Sequence, residues 1–367
     1  GPLGTPSIAK DGKLYAATAR KMLCVDLEGQ KILWEFPKDG HIAFYTERDI
    51  RKNEVWFRVG DGLILDGIEV QGKKRDLLLC CALEKVFAID RHTGERLWEV
   101  QRPGAPIPDN PGVSALVSDG KWVFGCTNLL DSSPRKNPEI PNPVDQMIWA
   151  LEAATGKPAQ TREGKEWTVN LAGTTFCVGN CMGALENGIL YWINGGDGVS
   201  GHRNLAATFF AVDVESAKVL WTTSNQFHCT GHCGPLALCD GILIASGTVE
   251  EKDRKNSYLT ALDIKYQKKA WGYPLITDPP LKRLRELYNP VVVKSEGRVY
   301  FGTGRKGKLE FCCVNLKDGT PIWTFTEEAP PPNELKGWSR AQPIVAGGRV
   351  FFTTYGNEIY CLGERGK

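Results

Sequence analysis

One repeated pattern runs through the 367-residue chain and constrains its fold more than any other feature. A hydrophobic strand ends in a small residue, an Asp or Asn follows two positions later, and a Trp follows eight positions after that. A sixth copy, at Ala150, has Gln160 where the Trp is expected, and a seventh, at Cys361, ends before a Trp could follow. Such repetition indicates an array of similar supersecondary units. The five copies that keep the spacing end in Trp34, Trp98, Trp221, Trp271 and Trp323.

A second signal, a two-residue turn between apolar strands, lies upstream of most copies. Most of these residue pairs tolerate positive φ and favour β-hairpins. One unit therefore contains four antiparallel strands with no helical periodicity between them, which is typical of a β-propeller blade. The turns are Asp11-Gly12, Asp119-Gly120, Asn187-Gly188, Asp240-Gly241, Glu296-Gly297 and Gly347-Gly348.

The sequence predicts an all-β fold, a single seven-bladed β-propeller of four-stranded blades over residues 1–367. We expect the last blade to have three strands, unless the domain was cut from a longer chain. An eight-bladed alternative requires a cryptic blade between Phe36 and Val59, around Val55-Trp56-Phe57. The expected blades are approximately residues 1–36, 60–100, 111–170, 178–223, 232–273, 287–326 and 338–367.

The second blade carries a known motif. Its segment Ala88-Ile89-Asp90-Arg91-His92-Thr93-Gly94-Glu95-Arg96-Leu97-Trp98 matches almost letter for letter the tryptophan-docking motif of pyrroloquinoline-quinone-like (PQQ-like, quinoprotein-like) propeller repeats. The chain resembles this family over nearly its whole length. The family contains quinone-dependent alcohol and sugar dehydrogenases and also cofactor-free scaffolds, among them the lipoprotein propeller of the outer-membrane β-barrel assembly machinery. The resemblance therefore implies the fold more narrowly than the function.

Charge and hydropathy restrict the partners. The chain has 45 basic and 43 acidic residues, a balance that does not predict nucleic-acid binding. We expect no transmembrane helix, because no apolar run is long enough, and no signal peptide within the sequence as given. The resemblance implies a periplasmic or extracellular location, although the many cysteines would suit a reducing compartment equally well.

Most of the 12 cysteines have a packing explanation. Cys24, Cys313 and Cys361 occupy a repeat position, called here the slot, that is Ala in the other four copies, so we interpret them as small apolar fillers. Cys80-Cys81 and Cys312-Cys313 lie inside predicted strands, where successive side chains point to opposite faces. We therefore expect no vicinal disulfide, although the family's alcohol dehydrogenases carry one beside the quinone.

Two Cys-x3-Cys segments directly precede the first strands of blades four and five. Their sulfur and imidazole groups are predicted to lie near the mouth of the propeller channel, and these ligand types suit Zn or Cu(I). Disulfides, a metal or redox site, and free thiols in packing all remain open. The residues are Cys177, Cys181, Cys229, Cys233, His228 and His232.

Long connections are expected on one face of the propeller only, the one that includes the channel mouth, and minimal turns on the other. This asymmetry predicts a binding face. Arg, Trp and Tyr side chains there could hold a carboxylate, sugar or quinone by hydrogen bonding and stacking. The candidate ligand-binding residues are Asp197, His202, Arg203, Tyr288, Asn289, Trp338 and Arg340.

We expect a scaffold that binds a small molecule, a glycan or a protein through this face. The alternatives are a PQQ-dependent oxidoreductase with Ca²⁺, a Cys/His metal or redox site holding Zn or Cu, and a polysaccharide-active propeller. Trp192, Asn194 and Asp197 could supply parts of a quinone site. The sequence identifies no catalytic residue, and a quinoprotein-type oxidoreductase is the leading class if the chain is an enzyme.

Overall fold

The described part of the chain is built from β-strands. Within it there is no α-helix, the single helical turn is the 3-10 segment Lys294–Glu296, and no helix could cross a bilayer. The computed structural model describes residues 8–18, 20–42, 62–104, 113–114, 116–129, 145–171, 180–181, 183–194, 206–222, 227–228, 237–246, 248–249, 259–273, 287–305, 308–328, 343–346, 348–353 and 359–363.

The first three blades are four-stranded antiparallel sheets with strands in chain order. A two-residue strand, β9, lies between blades two and three. Blade one contains β1 (Ile8–Lys10), β2 (Lys13–Ala17), β3 (Met22–Asp26) and β4 (Lys31–Phe36); blade two contains β5 (Leu63–Val70), β6 (Lys73–Cys81), β7 (Lys85–Asp90) and β8 (Arg96–Gln101); β9 is Val113–Ser114; blade three contains β10 (Val117–Ser118), β11 (Trp122–Leu129), β12 (Asp145–Glu152) and β13 (Thr168–Leu171).

The remaining blades follow the same order, with short extra strands β14, β19 and β22. These are β14 (Asn180–Cys181); β15 (Gly183–Glu186), β16 (Ile189–Asn194), β17 (Ala206–Asp213) and β18 (Val219–Thr222) of blade four; β19 (Phe227–His228); β20 (Ala237–Cys239), β21 (Ile242–Ser246), β23 (Leu259–Asp263) and β24 (Lys268–Tyr273) of blade five, with β22 (Thr248–Val249) between; β25 (Leu287–Val293), β26 (Arg298–Arg305), β27 (Lys308–Asn315) and β28 (Pro321–Glu328) of blade six; and β29 (Ile344–Ala346), β30 (Arg349–Thr353) and β31 (Ile359–Gly363) of blade seven.

The predicted fold class is confirmed: the protein is an all-β, seven-bladed β-propeller. Its residues fall into two compact units, one of Gly1–Trp192 with Phe210–Trp221 and one of Ile193–Phe209 with Thr222–Lys367. The first holds blades one to three and most of blade four, and the second holds blades five to seven. The expectation of a single domain with the boundaries given above stays a prediction.

Each blade has two different ends. We call the end where strand one turns into strand two, and strand three into strand four, the turn end. The opposite end, where the chain passes from strand two to three and from strand four to the next blade, is the loop end. Asp11, Asn187 and Asp240 adopt positive φ at turn ends, each followed by a positive-φ Gly, as the hairpin signals predict. Blade six differs, because the 3-10 turn and the left-handed Gly297 replace a two-residue hairpin.

The Asp or Asn of the repeat closes its own turn. In blade two, Asp90 Oδ1 accepts hydrogen bonds from the backbone N–H groups of His92 (3.0 Å) and Thr93 (3.1 Å). Asp26, Asp213, Asp263 and Asn315 accept equivalent bonds in their own blades. Short polar side chains satisfy nearby backbone donors in this way. The Asp or Asn of the repeat therefore caps a turn within its own blade.

The repeat Trp joins one blade to the next. The Nε1–H group of Trp34 donates to the carbonyl of Arg91 (3.1 Å), and Trp98 donates to Ala153 (3.0 Å). In blade five, Trp271 donates to Leu316 (3.0 Å). Each acceptor is the residue directly after the Asp, Glu or Asn of the following blade. The polar edge of a buried indole thus has a fixed partner while its rings pack between sheets.

Glycine makes room for these rings. A Cβ on Gly94 would lie 2.8 Å from Trp34, and one on Gly156 would lie 2.6 Å from Trp98. Both glycines also adopt positive φ, at 75° and 70°. The Thr-Gly of the repeat therefore serves its turn and the Trp of the preceding blade together.

Blade three departs from the expected spacing. The structure puts no fourth strand at Gln160; a widened hairpin with isolated bridges Leu151↔Pro158 and Gln160↔Glu166 delays β13. Trp167 takes the inter-blade position instead, since its Nε1–H donates to the carbonyl of Val214 at 2.5 Å. The inter-blade Trp of this blade thus lies seven positions later than expected, because the insertion lies between the turn and β13.

Candidate functional site

The loop ends carry nearly all of the long connections. Residues 37–62 separate β4 from β5, residues 130–144 separate β11 from β12, and residues 195–205 separate β16 from β17. At the turn ends only the widened hairpin of blade three is comparably long. Long connections on a rigid scaffold are where binding residues accumulate. The loop ends are therefore the candidate functional site, as the sequence predicts.

Short strands order part of the loop ends. β14 pairs in parallel with β9, which joins Asn180 to Val113 and Cys181 to Ser114. β19 pairs with the beginning of β17 and also with β22. The connections before blades three, four and five thus contain regular backbone pairing beyond the four strands of a blade.

Four of the predicted site residues lie in described strands, but only their backbones are described. Cys181 lies in β14 and His228 in β19, where His228 is paired with Ala206 and with Thr248. Tyr288 and Asn289 lie in β25, where the register shifts between Tyr288 and Val291. Such β-bulges redirect side chains and often accompany functional sites.

The other predicted site residues lie outside the described residues. They remain predictions, as does the choice among disulfides, metal and free thiols for the Cys/His group. These residues are Cys177, Cys229, Cys233, His232, Asp197, His202, Arg203, Trp338 and Arg340.

A buried polar network that the sequence analysis missed joins blades two and three at the loop end. Arg102 follows β8 and is only 2% exposed. Its Nε–H donates to Thr127 Oγ1 (3.1 Å), and a terminal nitrogen donates to the carbonyl of Cys126. Thr127 also accepts from Trp149 Nε1 (3.0 Å) and donates to the carbonyl of Pro103 (2.7 Å). This network fixes the sheet ends from which two long connections depart.

A second missed cluster lies at the turn end between blades one and two. Arg91 is 4% exposed, and its guanidinium contacts Asp11 Oδ2 (2.8 Å), Asp76 Oδ2 (3.2 Å) and Asp66 Oδ1 (3.5 Å). His92 Nε2 lies 2.9 Å from Asp76 Oδ2. The pKa of Asp76 is lowered to about 2. The hydrogen bond from His92 is the largest cause, and the hydrogen bond from the backbone N–H of Gly67 is the next. Because carboxylates of both blades pair with the terminal nitrogens of one buried guanidinium, this cluster is suited to holding the blades together.

The cysteine predictions can be tested where cysteines are described. Cys80 packs into the core between blades one and two and Cys81 into the core between blades two and three. Cys312 and Cys313 are divided in the same way between two cores, and all four are free thiols. The expected absence of a vicinal disulfide is confirmed for both pairs. Burial raises the pKa of Cys312 to about 12 and that of Cys313 to about 11.

The slot interpretation is confirmed for two of its three cysteines. Cys24 and Cys313 are completely buried, like Ala88, Ala211 and Ala261 at the same repeat position. Cys361 is exposed. The interpretation of Cys361 as a buried filler is therefore wrong, and the reason lies in the shorter sheet of blade seven.

The described residues do not fit a quinone site at Trp192. Its side chain is completely buried, and a Cβ on Gly183 would lie 2.6 Å from its ring, so the sheet itself covers the indole. A stacking floor for a planar cofactor needs an open ring face. Within the described residues, no three His, Cys, Asp or Glu side chains gather closely enough to hold a metal ion.

Comparisons with known proteins agree with this architecture. A family model described as "Outer membrane protein assembly factor BamB" matches residues 145–367. A search of curated proteins finds no match.

Solved structures show similarity at the level of the fold. The hydrazine synthase of Kuenenia stuttgartiensis aligns over 96% of this chain and 92% of its own, with a TM-score of 0.55 and 10% sequence identity. A chain of a mitotic checkpoint complex aligns over 96% and 84%, with a TM-score of 0.53 and 9% identity.

The family model covers more than half of the sequence, including the last five copies of the repeat. The motif in blade two and the seven antiparallel sheets agree with it. The chain therefore belongs to the family of PQQ-like β-propellers that is described as outer membrane protein assembly factor BamB.

Proposed function

We propose that the chain is a binding scaffold that holds a protein partner at the loop ends of its blades. The observation that carries this proposal is the contrast between the two blade ends. Turn ends are closed by capped, mostly short turns, whereas loop ends bear the long connections and the additional strands β9, β14, β19 and β22. A rigid body with elaborated connections at one end of each sheet supports recognition better than it supports a purely structural role.

The family supports a protein as the partner. Its description names an assembly factor for outer membrane proteins, which suggests a component or a client of such an assembly process. We propose a periplasmic location on the same ground. The buried indole of Trp192 favours this scaffold over a PQQ-dependent oxidoreductase built around that residue.

Within the scaffold, we assign partner contacts to the seven candidate ligand-binding residues of the loop ends. The register shift beside Tyr288 supports its inclusion, because a bulge turns side chains out of the regular alternation. Tyr and Arg are favoured as contact residues, since they combine apolar area with hydrogen bonding.

Site-specific photo-crosslinking tests the proposal. A photoreactive phenylalanine derivative would replace Tyr288, near the loop end of blade six, in cells that naturally produce the protein. The matched control replaces Tyr266, a 60%-exposed tyrosine at the turn end of blade five. We expect Tyr288 to give adducts with one defined protein and Tyr266 to give none. The same derivative would also replace Arg203 and Trp338 in separate variants. Adducts of equal yield at Tyr288 and Tyr266, or no adducts at Tyr288, Arg203 and Trp338, would contradict the proposal.

Reconstitution separates the scaffold from the oxidoreductase. Purified protein would be incubated with PQQ and Ca²⁺, then assayed for a change in quinone absorbance and for dye reduction with alcohols and sugars. A scaffold shows neither. Substrate-dependent dye reduction would replace the proposed function with quinoprotein catalysis.

A further inference from the structure

The turn between β23 and β24, at the turn end of blade five, differs in charge from its equivalents. Between Asp263 and Trp271 the sequence has three lysines, one tyrosine and no acidic residue. In each of the other blades from one to six, the corresponding segment before the inter-blade Trp contains at least one Asp or Glu. Blade five thus carries a local excess of positive charge that the other blades balance. The acidic residues in the other blades include Glu28, Glu95, Glu163, Glu215 and Asp318.

An aromatic ring lies between the cations of this turn. Of the large apolar and aromatic side chains in the described part of the chain, Tyr266 has the largest exposed fraction, 60%. The Nζ atom of Lys265 lies 5.2 Å from the centroid of its ring, and that of Lys268 lies 5.1 Å from it. Cation–π attraction holds both ammonium groups beside the ring. We call Lys265, Tyr266 and Lys268 together the Lys-Tyr-Lys tip.

The carboxylates around the Lys-Tyr-Lys tip have other partners. Asp263 Oδ1 accepts hydrogen bonds from two backbone N–H groups of its own turn, at 3.0 and 3.1 Å. Asp240, on the other hairpin of blade five, pairs with Lys294 of blade six at 2.7 Å. Among the described residues, no carboxylate forms an ion pair with Lys265 or Lys268. The charge of the tip is therefore available to an anion from outside the chain.

We propose that the Lys-Tyr-Lys tip docks on the surface of a bilayer that contains anionic phospholipids. The two ammonium groups meet lipid phosphates, while the tyrosine ring lies at the level of the headgroups with its hydroxyl in water. The aliphatic stems of the lysines add apolar area beneath their charges.

The shape and composition of the tip favour a bilayer over other anionic partners. An exposed turn is convex, whereas sites for small ligands are concave. Lysine is depleted from protein–protein interfaces, but each lysine strengthens attachment to an anionic membrane. This docking uses a turn end and not the loop ends, so it stands apart from the proposed protein partner. Because the occupant is lipid, Tyr266 still gives no adduct with a protein.

Sedimentation with vesicles tests the charges of the tip. The full chain would be mixed with vesicles of phosphatidylcholine and phosphatidylglycerol, or of phosphatidylcholine alone, and we expect binding only to the first. Since each lysine strengthens binding about fivefold, Lys265→Gln/Lys268→Gln should bind about 25-fold more weakly. The matched control, Lys73→Gln/Lys74→Gln, removes two exposed lysines from the turn end of blade two and should bind like the native protein. Both double variants should keep the native thermal midpoint, because all four side chains are exposed.

A second set of measurements tests the ring. Tyr266→Ser leaves the charge unchanged and should weaken vesicle binding about fivefold, whereas Tyr266→Trp keeps an interfacial aromatic and should restore it. A photoreactive phenylalanine derivative at position 266 should give phospholipid adducts on the anionic vesicles. The same derivative at Leu220, which is 52% exposed on β18, should give none.

Four outcomes would overturn the proposal. Equal binding to the two kinds of vesicle would show that lipid charge is irrelevant. Equal losses in the two double variants would show that net charge, and not this turn, drives binding. Normal binding of Tyr266→Ser without lipid adducts at position 266 would show that the ring does not reach the bilayer. Binding of soluble polyglutamate as tightly as vesicles, with the same loss in Lys265→Gln/Lys268→Gln, would identify an acidic protein as the partner.

Discussion

Blade two has a buried arginine at each end, and the two side chains are stabilised in different ways. Arg91, at the turn end, is met by the carboxylates of three aspartates from blades one and two. Arg102, at the loop end, bonds to the neutral oxygens of Thr127 and Cys126 in blade three. The turn end therefore joins neighbouring blades by charge pairing and the loop end by neutral hydrogen bonds. We infer that acid weakens the first junction more than the second.

The largest expected effect is at the turn end. Arg91→Leu removes a buried cation and leaves Asp11, Asp66 and Asp76 without their shared partner. Because these carboxylates are partly exposed, we expect the free energy of unfolding to fall by about 3 kcal/mol, at the lower limit for a broken buried pair. Denaturant titration measures this change. A loss below about 1 kcal/mol would show that the three ion pairs contribute little.

The next effect tests the loop end. Thr127→Val keeps the side-chain shape but removes the hydroxyl that bonds to Arg102, Trp149 and Pro103. We expect a loss of about 2 kcal/mol, because buried donors are left without an acceptor. Thr222→Val, at an exposed position, is the matched control and should be nearly neutral. Equal effects of the two substitutions would show that the hydroxyl of Thr127 does not stabilise the loop end.

A smaller effect concerns pH. Asp76 has a folded-state pKa of about 2, below its ordinary value of 3.8, so it adds stability above about pH 4 that is lost as the pH falls toward 2. Asp76→Asn should lower the unfolding free energy by about 1 kcal/mol at pH 7 after allowance for solvent screening. The difference between the thermal midpoints of variant and native protein should vanish near pH 2. A difference independent of pH would show that the carboxylate charge is irrelevant.

The smallest effect separates burial from charge pairing. Arg162 and Glu215 form an ion pair across the turn ends of blades three and four, but both side chains are largely exposed. Arg162→Ala should change the unfolding free energy by less than about 0.5 kcal/mol. A loss comparable to that of Arg91→Leu would mean that pairing matters more than burial.

Much of the fold could be predicted because the repeat encodes local physics. The Asp turn caps, the hairpin pairs and the alternating strands each depend on residues close together in the sequence. The prediction failed at Gln160 because an insertion inside one hairpin moved the Trp to position 167 without changing its contact. Alignment from the following strand, Thr168–Leu171, could have found it.

The two arginine clusters could not be predicted in the same way. Arg91 and His92 occupy variable positions of the repeat, and Asp11 is 80 positions away from Arg91 in another blade. Arg102 follows a strand with no recognisable motif around it. Which side chains meet at the loop ends depends on the paths of long connections, and strand periodicity does not determine those paths. The sequence could therefore indicate which end of each blade carries the long connections, but not which side chains meet there.

The division of Cys80 and Cys81 between two cores affects whether these two thiols can be oxidised. A thiol must become a thiolate and meet another sulfur before it can be oxidised to a disulfide. Burial raises the pKa of both thiols, and the intervening sheet keeps the two adjacent sulfurs apart. Such cysteines are chemically silent in an oxidising or a reducing compartment alike. A change between the two environments therefore leaves Cys80 and Cys81, and the sheet that holds them, unchanged.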